Sequence, residues 1–185
     1  APVINKLVEK RIISKIVEPT LRALKKKKKP YTGFLYVGLM IKNNEPYLIE
    51  YNIRMGDPEC QVILPRLKTD LVKIILAAIS NKLEKVKIKW KSEKSMTIVL
   101  CSNGYPGSYK KNLLIKNLNS VFLKKKDIIY HAGTKILNNQ IVSNGGRVLN
   151  VTSLGKSFLK IRKRIILIIK NINWSLIDVA FLSLP

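Results

Sequence analysis

The sequence predicts an α+β fold, and two observations support this class. Apolar residues recur at helical spacing over residues 4–24 and 69–83, whereas apolar and polar residues alternate with a period of two over 47–53 and part of 96–100. Glycines punctuate the chain beyond residue 100, as is typical of turns between short strands. We therefore expect a mixed amino-terminal part, followed by a small β-rich part with a terminal helix.

Length and hydrophobicity set the domain organisation. A chain of 185 residues with 46% hydrophobic content can form one large domain or two small ones with packed cores. The composition changes near residue 84, and we place a boundary there, giving domains 1–83 and 84–185. The longest apolar runs, such as residues 165–169, are far shorter than the roughly 20 residues of a membrane span. We expect no membrane association.

The two cysteines predict neither a zinc site nor a disulfide framework. Cys60 and Cys101 lie far apart and show no metal-ligand spacing. Cys101 follows a run of apolar residues and is expected to be a small buried thiol in a strand.

Residues 4–24 are basic and amphipathic but contain two glutamates and no signal-peptide core. A cytoplasmic location is the prediction.

The amino-terminal elements follow from periodicity and turn residues. Residues 4–24 form a predicted surface helix that Pro19 bends or breaks. Residues 34–41 and 46–53 read as a hairpin around Asn43 and Asn44. Thr69 or Asp70 can cap a helix that runs to about residue 83.

Beyond residue 84 the same criteria give short strands and one helix. Residues 86–90 alternate, as does part of 96–100, and residues 104–107 form a turn. Thr152 or Ser153 is expected to begin a last helix that ends near Asn171. Residues 145–147 could bring backbone amides and the Arg147 guanidinium to a phosphate, but two consecutive glycines are more often a hairpin turn.

The charge of the chain suggests a second class of function. The 35 lysines and arginines against 11 acidic residues give a net charge of +24, which is the electrostatic signature of nucleic-acid binding. The basic residues are mostly lysines, however, and no aromatic residues alternate with the one basic block, residues 25–29. That block is expected to be a solvated connector. Nucleic-acid binding remains the rival hypothesis, supported by charge alone.

Acidic residues cluster in one short segment, which contains Glu50, Asp57 and Glu59. Glu50, Asn52 and Arg54 would project from one face of a strand, and a carboxylate, an amide oxygen and a guanidinium in a row suit Mg²⁺ and the phosphate oxygens it bridges. Alternation alone favours a solvated strand face. The tight turn predicted at Gly56 and Asp57 shifts the balance towards a site, and Asp57 could cap the element that follows.

Several separated motifs occur in a fixed order across most of the chain. They are residues 32–40, the Glu50, Asn52 and Arg54 segment through Gln61, residues 64–67, Gly104-Tyr105-Pro106-Gly107, residues 131–135 and residues 144–149. Together they resemble the motifs of the phosphoribosylamine-glycine ligase family, which belongs to the ATP-grasp superfamily and has them in the same order. The resemblance implies the carboxy-terminal part of an ATP-grasp domain followed by a β-rich closing domain.

The activity implied by the resemblance is a step of de novo purine biosynthesis. Glycine is phosphorylated by ATP, and 5-phosphoribosylamine attacks the glycyl phosphate to give glycinamide ribonucleotide, ADP and phosphate. Glu50 and Asn52 would hold Mg²⁺ or Mn²⁺ against the ATP phosphates, and Arg54 would neutralise developing charge as the catalytic residue. Gly56, Asp57 and Arg147 would bind substrate. Asp57 either orients the amine or only holds the turn.

The chain also departs from the family pattern. Met55 replaces the usual Phe, a volume-conserving change, and the sequence after Trp174 differs from the usual ending. The chain resembles roughly the last half of the enzyme, so we expect it to need a missing amino-terminal half. The alternative is an inactive remnant. His131, the only histidine, is expected to be a hydrogen-bonded structural residue.

Overall fold

The computed structural model describes residues 4–174 and 177–184. It contains two compact units, one formed by residues 1–56 with 68–89 and the other by residues 57–67 with 90–185. Helices and antiparallel strands occur together in the chain, which confirms the α+β class. No helix of the described ranges has both the length and the apolar character needed to cross a bilayer.

The first unit begins with a long helical segment. Helix α1 spans Lys6–Ile12, a π-helical turn spans Ile13–Val17, and helix α2 spans Glu18–Lys26. Asn5 caps α1, because its side-chain oxygen accepts a hydrogen bond from the Val8 amide at 2.9 Å. Pro19 does not break the segment, because it lies in the first turn of α2, where its missing amide is tolerated.

A hairpin follows this segment, as predicted. Strand β1 spans Tyr36–Lys42 and strand β2 spans Glu45–Asn52, and the two pair antiparallel. Asn43 and Asn44 connect them with φ angles of 51° and 60°. Two positive φ values in a two-residue loop match the twist of the strands, and asparagine tolerates them well.

The last helix of the first unit is capped as expected but is shorter than predicted. Helix α3, Cys60–Ile63, precedes it in the chain and belongs to the second unit. The helix of the first unit is therefore α4, Leu71–Ile79. Asp70 caps it by accepting a hydrogen bond from the Lys73 amide at 2.9 Å. It ends before residue 83 because the chain turns at Asn81, whose φ is 52°.

Residues 86–90 do not form the predicted strand. Only Trp90 makes a β-bridge, with Leu67, and the backbone of Lys89 bonds to residues 68 and 69 instead of to a strand. The Lys89 amide donates to the Thr69 hydroxyl at 2.7 Å. Alternation was therefore misleading here, because a side-chain oxygen satisfies a donor that a strand would have paired.

An antiparallel four-stranded sheet forms the centre of the second unit. Its order is β10, β3, β8, β5, with bounds Ile177–Leu184, Lys94–Ser102, Arg147–Gly155 and Asp127–His131. Helix α5, Phe158–Lys170, packs on one face. The core between them includes Ile98, Leu100, Leu149, Val151, Ile161 and Ile165.

Two small pairs of strands complete the second unit. Strand β4, Ile115–Lys116, pairs with β9, Asn173–Trp174, and β6, Thr134–Leu137, pairs with β7, Gln140–Ser143. Gly145 and Gly146 connect β7 to β8, which lie in different sheets. The predicted hairpin turn at these glycines is therefore wrong. The tail after Trp174 contributes residues 177–184 as the edge strand β10.

The last helix begins later than the sequence predicted. Thr152 and Ser153 lie inside β8, where the Thr152 hydroxyl donates to Thr97 at 2.8 Å and the Ser153 hydroxyl donates to Asp127 at 2.7 Å. Their hydroxyls are thus used across the sheet rather than at a helix terminus. Ser157 occupies the position before α5.

A buried ion pair joins the sheet to α5. The carboxylate of Asp127 is fully buried and accepts hydrogen bonds from the Arg164 guanidinium, the Ser153 hydroxyl and, at 2.7 Å, the Lys124 amide. Burial alone would raise the pKa of Asp127, but these hydrogen bonds, led by that from Arg164, outweigh it and hold the pKa below the ordinary value.

We expect Asp127→Asn to lower the free energy of unfolding by about 3 kcal/mol at neutral pH, because it leaves the Arg164 cation without its partner. The depressed pKa stabilises the fold above the unfolded-state value of about 3.9. The difference between wild type and variant should therefore shrink as the pH falls below that value towards the folded-state pKa. Urea unfolding at several pH values measures it.

Glu93→Gln is the matched control for this prediction. Glu93 pairs with Lys126 at 2.7 Å, and the lysine is largely exposed. Exposed pairs contribute little, so the control should lose much less stability than Asp127→Asn does. Equal losses in the two variants would contradict a special role for Asp127.

Candidate functional site

Two of the predicted site residues in the first unit lie together on the hairpin. Glu50 and Asn52 project from the same face of β2, opposite Gly38 and Tyr36 of β1. The Asn52 side-chain amide donates to Glu50 Oε1 at 3.0 Å. The period of two in the sequence therefore identified a real pair of side chains.

Arg54 does not extend this row as a strand residue. Strand β2 ends at Asn52, and Arg54 follows in an irregular segment, where its Nη1 donates to the Met55 carbonyl at 2.9 Å. The expectation that all three side chains share a strand face is therefore wrong for Arg54. Its guanidinium is exposed and retains further donors for an anion.

The hydrogen bond between Asn52 and Glu50 uses the amide nitrogen of Asn52 and one carboxylate oxygen of Glu50. The amide oxygen of Asn52 and the second carboxylate oxygen of Glu50 are then available as metal ligands. Two hard oxygen donors fit Mg²⁺, which in proteins is usually held by one or two side chains, phosphates and water. Over residues 4–174 and 177–184, no three His, Cys, Asp or Glu side chains cluster as a metal site.

The other candidate residues, Asp57 and Arg147, meet in the second unit. Arg147 Nη1 donates to the Asp57 carbonyl at 2.6 Å and lies 3.3 Å from its Oδ2. Gln61 Nε2 donates to Asp57 Oδ1 at 2.8 Å. Asp57 does not cap a helix, because α3 begins at Cys60 with Glu59 at the cap position. Its carboxylate instead fastens the segment 57–67 to β8.

Tyr105 belongs to this cluster. Arg147 Nε donates to the Tyr105 hydroxyl at 3.3 Å. That hydrogen bond raises the pKa of Arg147, against the lowering effect of burial, and the charge of Asp57 contributes in the same direction. The Tyr105 ring also packs edge-on against Tyr109, with centroids 6.1 Å apart. Arg147 is thus a cation held by Tyr105 and Asp57, with 39% of its side chain exposed.

Sequence reasoning missed Tyr105 and Gln61 as site residues. Residues 104–107 form the predicted turn, but a turn says nothing about where its tyrosine hydroxyl lies. Gln61 had a weak signal, since it stands four residues after Asp57, the spacing at which side chains meet along a helix. Gly56, a predicted substrate-binding residue, is buried directly before Asp57.

Three other titratable residues, His131, Cys60 and Cys101, have surroundings that fit structural roles. His131 Nδ1 is hydrogen-bonded to the Thr134 hydroxyl at 2.9 Å, which agrees with its predicted structural role. Burial and then the charge of Asp57 raise the pKa of Cys60, so that it stays a thiol. Cys101 is buried in β3, as expected.

We expect Gly146→Ala to disturb the cluster around Arg147. A β-carbon at residue 146 would lie 2.0 Å from Tyr105 Cδ2, so the ring must move. Overpacking of this kind lowers the free energy of unfolding by about 1–3 kcal/mol. Tyr105→Ala removes the ring, and the double variant should be less destabilised than the sum of the single variants, as measured by urea unfolding. Additive losses would contradict the contact.

Two family models match the chain side by side. The model described as phosphoribosylglycinamide synthetase, ATP-grasp (A) domain, matches residues 1–60. The model described as phosphoribosylglycinamide synthetase, C domain, matches residues 95–179. The first contains Glu50, Asn52, Arg54 and Asp57, and the second contains Arg147.

Individual proteins agree with these matches. The chain is 44% identical over 175 residues to a phosphoribosylamine-glycine ligase of Vibrio parahaemolyticus and 40% identical over 174 residues to that of Agrobacterium fabrum. Both alignments cover 94% of this chain and 41% of the relative. The chain therefore spans about two fifths of the length of these relatives.

A solved structure gives the same result. The crystal structure of phosphoribosylamine-glycine ligase from Thermotoga maritima superimposes with a TM-score of 0.78 at 27% identity, covering 95% of this chain and 43% of that protein. Sequence motifs, two domain models and a common fold agree. The chain belongs to the phosphoribosylamine-glycine ligase family.

Proposed function

We propose that this chain provides the carboxy-terminal part of an ATP-dependent ligase of purine biosynthesis. The reaction joins glycine to 5-phosphoribosylamine and gives glycinamide ribonucleotide, ADP and phosphate. The observation that carries the proposal is the paired oxygen donors of Glu50 and Asn52, which lie in the segment matched by the ATP-grasp domain model. Magnesium or manganese, together with ATP, are the cofactors in this proposal.

The hairpin residues provide the phosphate-facing side of the reaction. Glu50 and Asn52 would hold Mg²⁺, which when bound neutralises phosphate charge and orients the phosphoryl group. Arg54 is proposed as the catalytic residue, because its exposed guanidinium can contact the phosphoryl group as charge redistributes. Its bond to the Met55 carbonyl limits the motion of the guanidinium and so pre-organises the cation.

The chemistry needs positioning rather than a side-chain nucleophile. A carboxylate oxygen of glycine attacks the γ-phosphorus of ATP, and the bond to the leaving ADP oxygen breaks. The amine of phosphoribosylamine then attacks the glycyl carbonyl carbon, phosphate leaves, and the amine loses a proton. Such steps are accelerated by fixed charges and alignment and need no nucleophilic side chain. This agrees with Cys60, which stays a thiol, and with His131, which has a structural role.

Gly56, Asp57 and Arg147 are the proposed substrate-binding residues. Arg147 offers a cation that Tyr105 and Asp57 hold in place, suited to an anionic group of a substrate. Asp57 has two candidate roles, orienting the amine of phosphoribosylamine or holding the turn. Its contacts with Arg147 and Gln61 favour the second role, and its exposed carboxylate leaves the first open.

The surface of the first unit supports a missing partner. Among its described residues, only Val8 and Ile16 are buried large hydrophobics, whereas many are exposed. The most exposed are Ile53 at 77%, Ile79 at 67%, Ile49 at 63%, Val72 at 61% and Leu76 at 59%. Apolar surface on this scale favours burial against another part of the protein. We propose that the amino-terminal half of the ligase covers it, from a longer parent chain or a separate polypeptide.

Two further predictions belong to this proposal. The domain boundary near residue 84, giving 1–83 and 84–185, stays a prediction, and the matched ranges 1–60 and 95–179 lie on either side of it. A cytoplasmic location likewise stays a prediction.

The remnant hypothesis keeps one supporting observation, the altered sequence after Trp174. We do not propose nucleic-acid binding, because the net charge alone favours it.

Reconstitution tests the proposal directly. We expect glycine- and phosphoribosylamine-dependent release of ADP, in the presence of Mg²⁺, when the chain is mixed with the amino-terminal part of the Vibrio parahaemolyticus ligase. Glu50→Gln keeps the size of the side chain but removes its charge, and should lower the rate at least about 100-fold. The measurement is the initial rate of ADP release against Mg²⁺ concentration.

Glu45→Gln is the matched control on the same strand. Glu45 pairs with Arg11 at 2.7 Å and Lys15 at 2.8 Å, away from the proposed site, so the variant should keep wild-type activity. Full activity of Glu50→Gln would contradict the metal role. A silent mixture whose two chains are shown to be folded and associated would contradict the ligase proposal and favour the remnant.

A further inference from the structure

Gly38 lies directly beneath the side chain of Glu50. The two residues are paired across the hairpin, and a β-carbon added at Gly38 would lie 2.9 Å from Glu50 Cγ. Two real carbon atoms do not approach so closely without one of them moving. The Cγ atom is also near the base of the side chain, so it cannot be displaced without moving the carboxylate.

The backbone does not explain why residue 38 is a glycine. Positive φ angles occur among the described glycines at Gly33 and Gly104, and Gly38 is not one of them. It lies inside β1, where glycine is unfavourable because it packs no side chain and loses more chain entropy than other residues. The strand register shifts between Gly38 and Leu39, so Gly38 borders a β-bulge, where glycine is common. The bulge does not require the β-carbon to be absent, since the φ of Gly38 is not positive, whereas the space beside Glu50 does.

The neighbours of Gly38 define the shape of that space. Tyr36 precedes it on the same face of β1, with its Cε1 3.6 Å from the added β-carbon position, and is paired with Asn52. The Glu50 stem therefore lies across the uncovered α-carbon of Gly38, beside the Tyr36 ring. In this position its Oε1 receives the hydrogen bond from Asn52.

We propose that Gly38 is a positioning residue for the metal-binding pair. Its missing side chain lets Glu50 fold across β1, which keeps the Glu50 carboxylate hydrogen-bonded to the Asn52 side chain. The inference rests on the proposed function, because the pair is useful only if it holds a cation. An alanine at residue 38 would rotate Glu50 away and separate the two oxygen donors.

Gly38→Ala tests the positioning without any need for activity. The side-chain amide of Asn52 in the ¹⁵N spectrum of the intact chain reports its bond to Glu50. We expect its resonance to move to the position found in Glu50→Ala. Val37→Ala, on the opposite face of β1, is the control and should leave the resonance unchanged. An unchanged Asn52 resonance in Gly38→Ala would overturn the proposal.

The metal dependence of the reconstituted ligase provides the second measurement. We expect Gly38→Ala to raise the Mg²⁺ concentration for half-maximal rate about 10-fold, while the KM for glycine stays unchanged. A glycine with no positioning role predicts an unchanged Mg²⁺ requirement. It also predicts an unchanged or raised thermal melting temperature, since alanine favours a strand more than glycine does. Wild-type Mg²⁺ dependence in the variant would overturn the positioning role.

The two measurements separate this proposal from the proposed function. The Asn52 resonance depends only on the contact of residue 38 with Glu50, so it decides the steric role even in a chain that does not catalyse ligation. Loss of activity in wild type would concern the ligase assignment alone. A shifted resonance together with a raised Mg²⁺ requirement supports both.

Discussion

The pairing of β8 with both β3 and β5 is the constraint on which the second unit depends. One face of β8 packs Leu149 and Val151 against α5, and Ser153 on that face contributes to the buried charge of Asp127. At its start, the same strand carries Arg147 to Asp57. A slip of one residue along 149–153 would exchange the two faces and remove the core contacts and the Asp127 contact together. A register shift opposite Leu100 and Cys101 of β3 separates Arg147 from that stretch, so one strand carries the core residues and, beyond a bulge, one residue of the candidate site.

Local patterns predicted the elements whose residues have one strong preference. The hairpin at Asn43 and Asn44 was found because few residues tolerate consecutive positive φ angles. The structure of residues 86–90 and the start of α5 were not predicted correctly, since the residues there are compatible with strands, helix caps and irregular segments. Thr152 is both a good strand residue and a possible cap, and only the position of Thr97 across the sheet decides between them. Such a choice depends on tertiary contacts that a single sequence does not contain.

The candidate site divides in the same way. Glu50 and Asn52 stand two residues apart, so strand periodicity alone places them on one face. Arg147 and Asp57 are 90 residues apart, and nothing in composition or spacing connects them. Their substrate-binding role came from a family resemblance, although the pattern at residues 145–147 had already suggested a phosphate contact for Arg147. Their contact with each other was not foreseen. Resemblance therefore supplied the long-range part of the site, and periodicity supplied the local part.

Two glycines beside the polar side chains of the candidate site are needed for space rather than for backbone freedom. Gly38 and Gly146 have φ angles open to other residues, yet a β-carbon at either would collide with Glu50 or with the Tyr105 ring. Gly104, by contrast, has a φ of 94° and is needed by the turn itself. A missing side chain makes room for its neighbour in a position that a β-carbon would otherwise block. Space in this chain is therefore part of how the polar side chains are oriented.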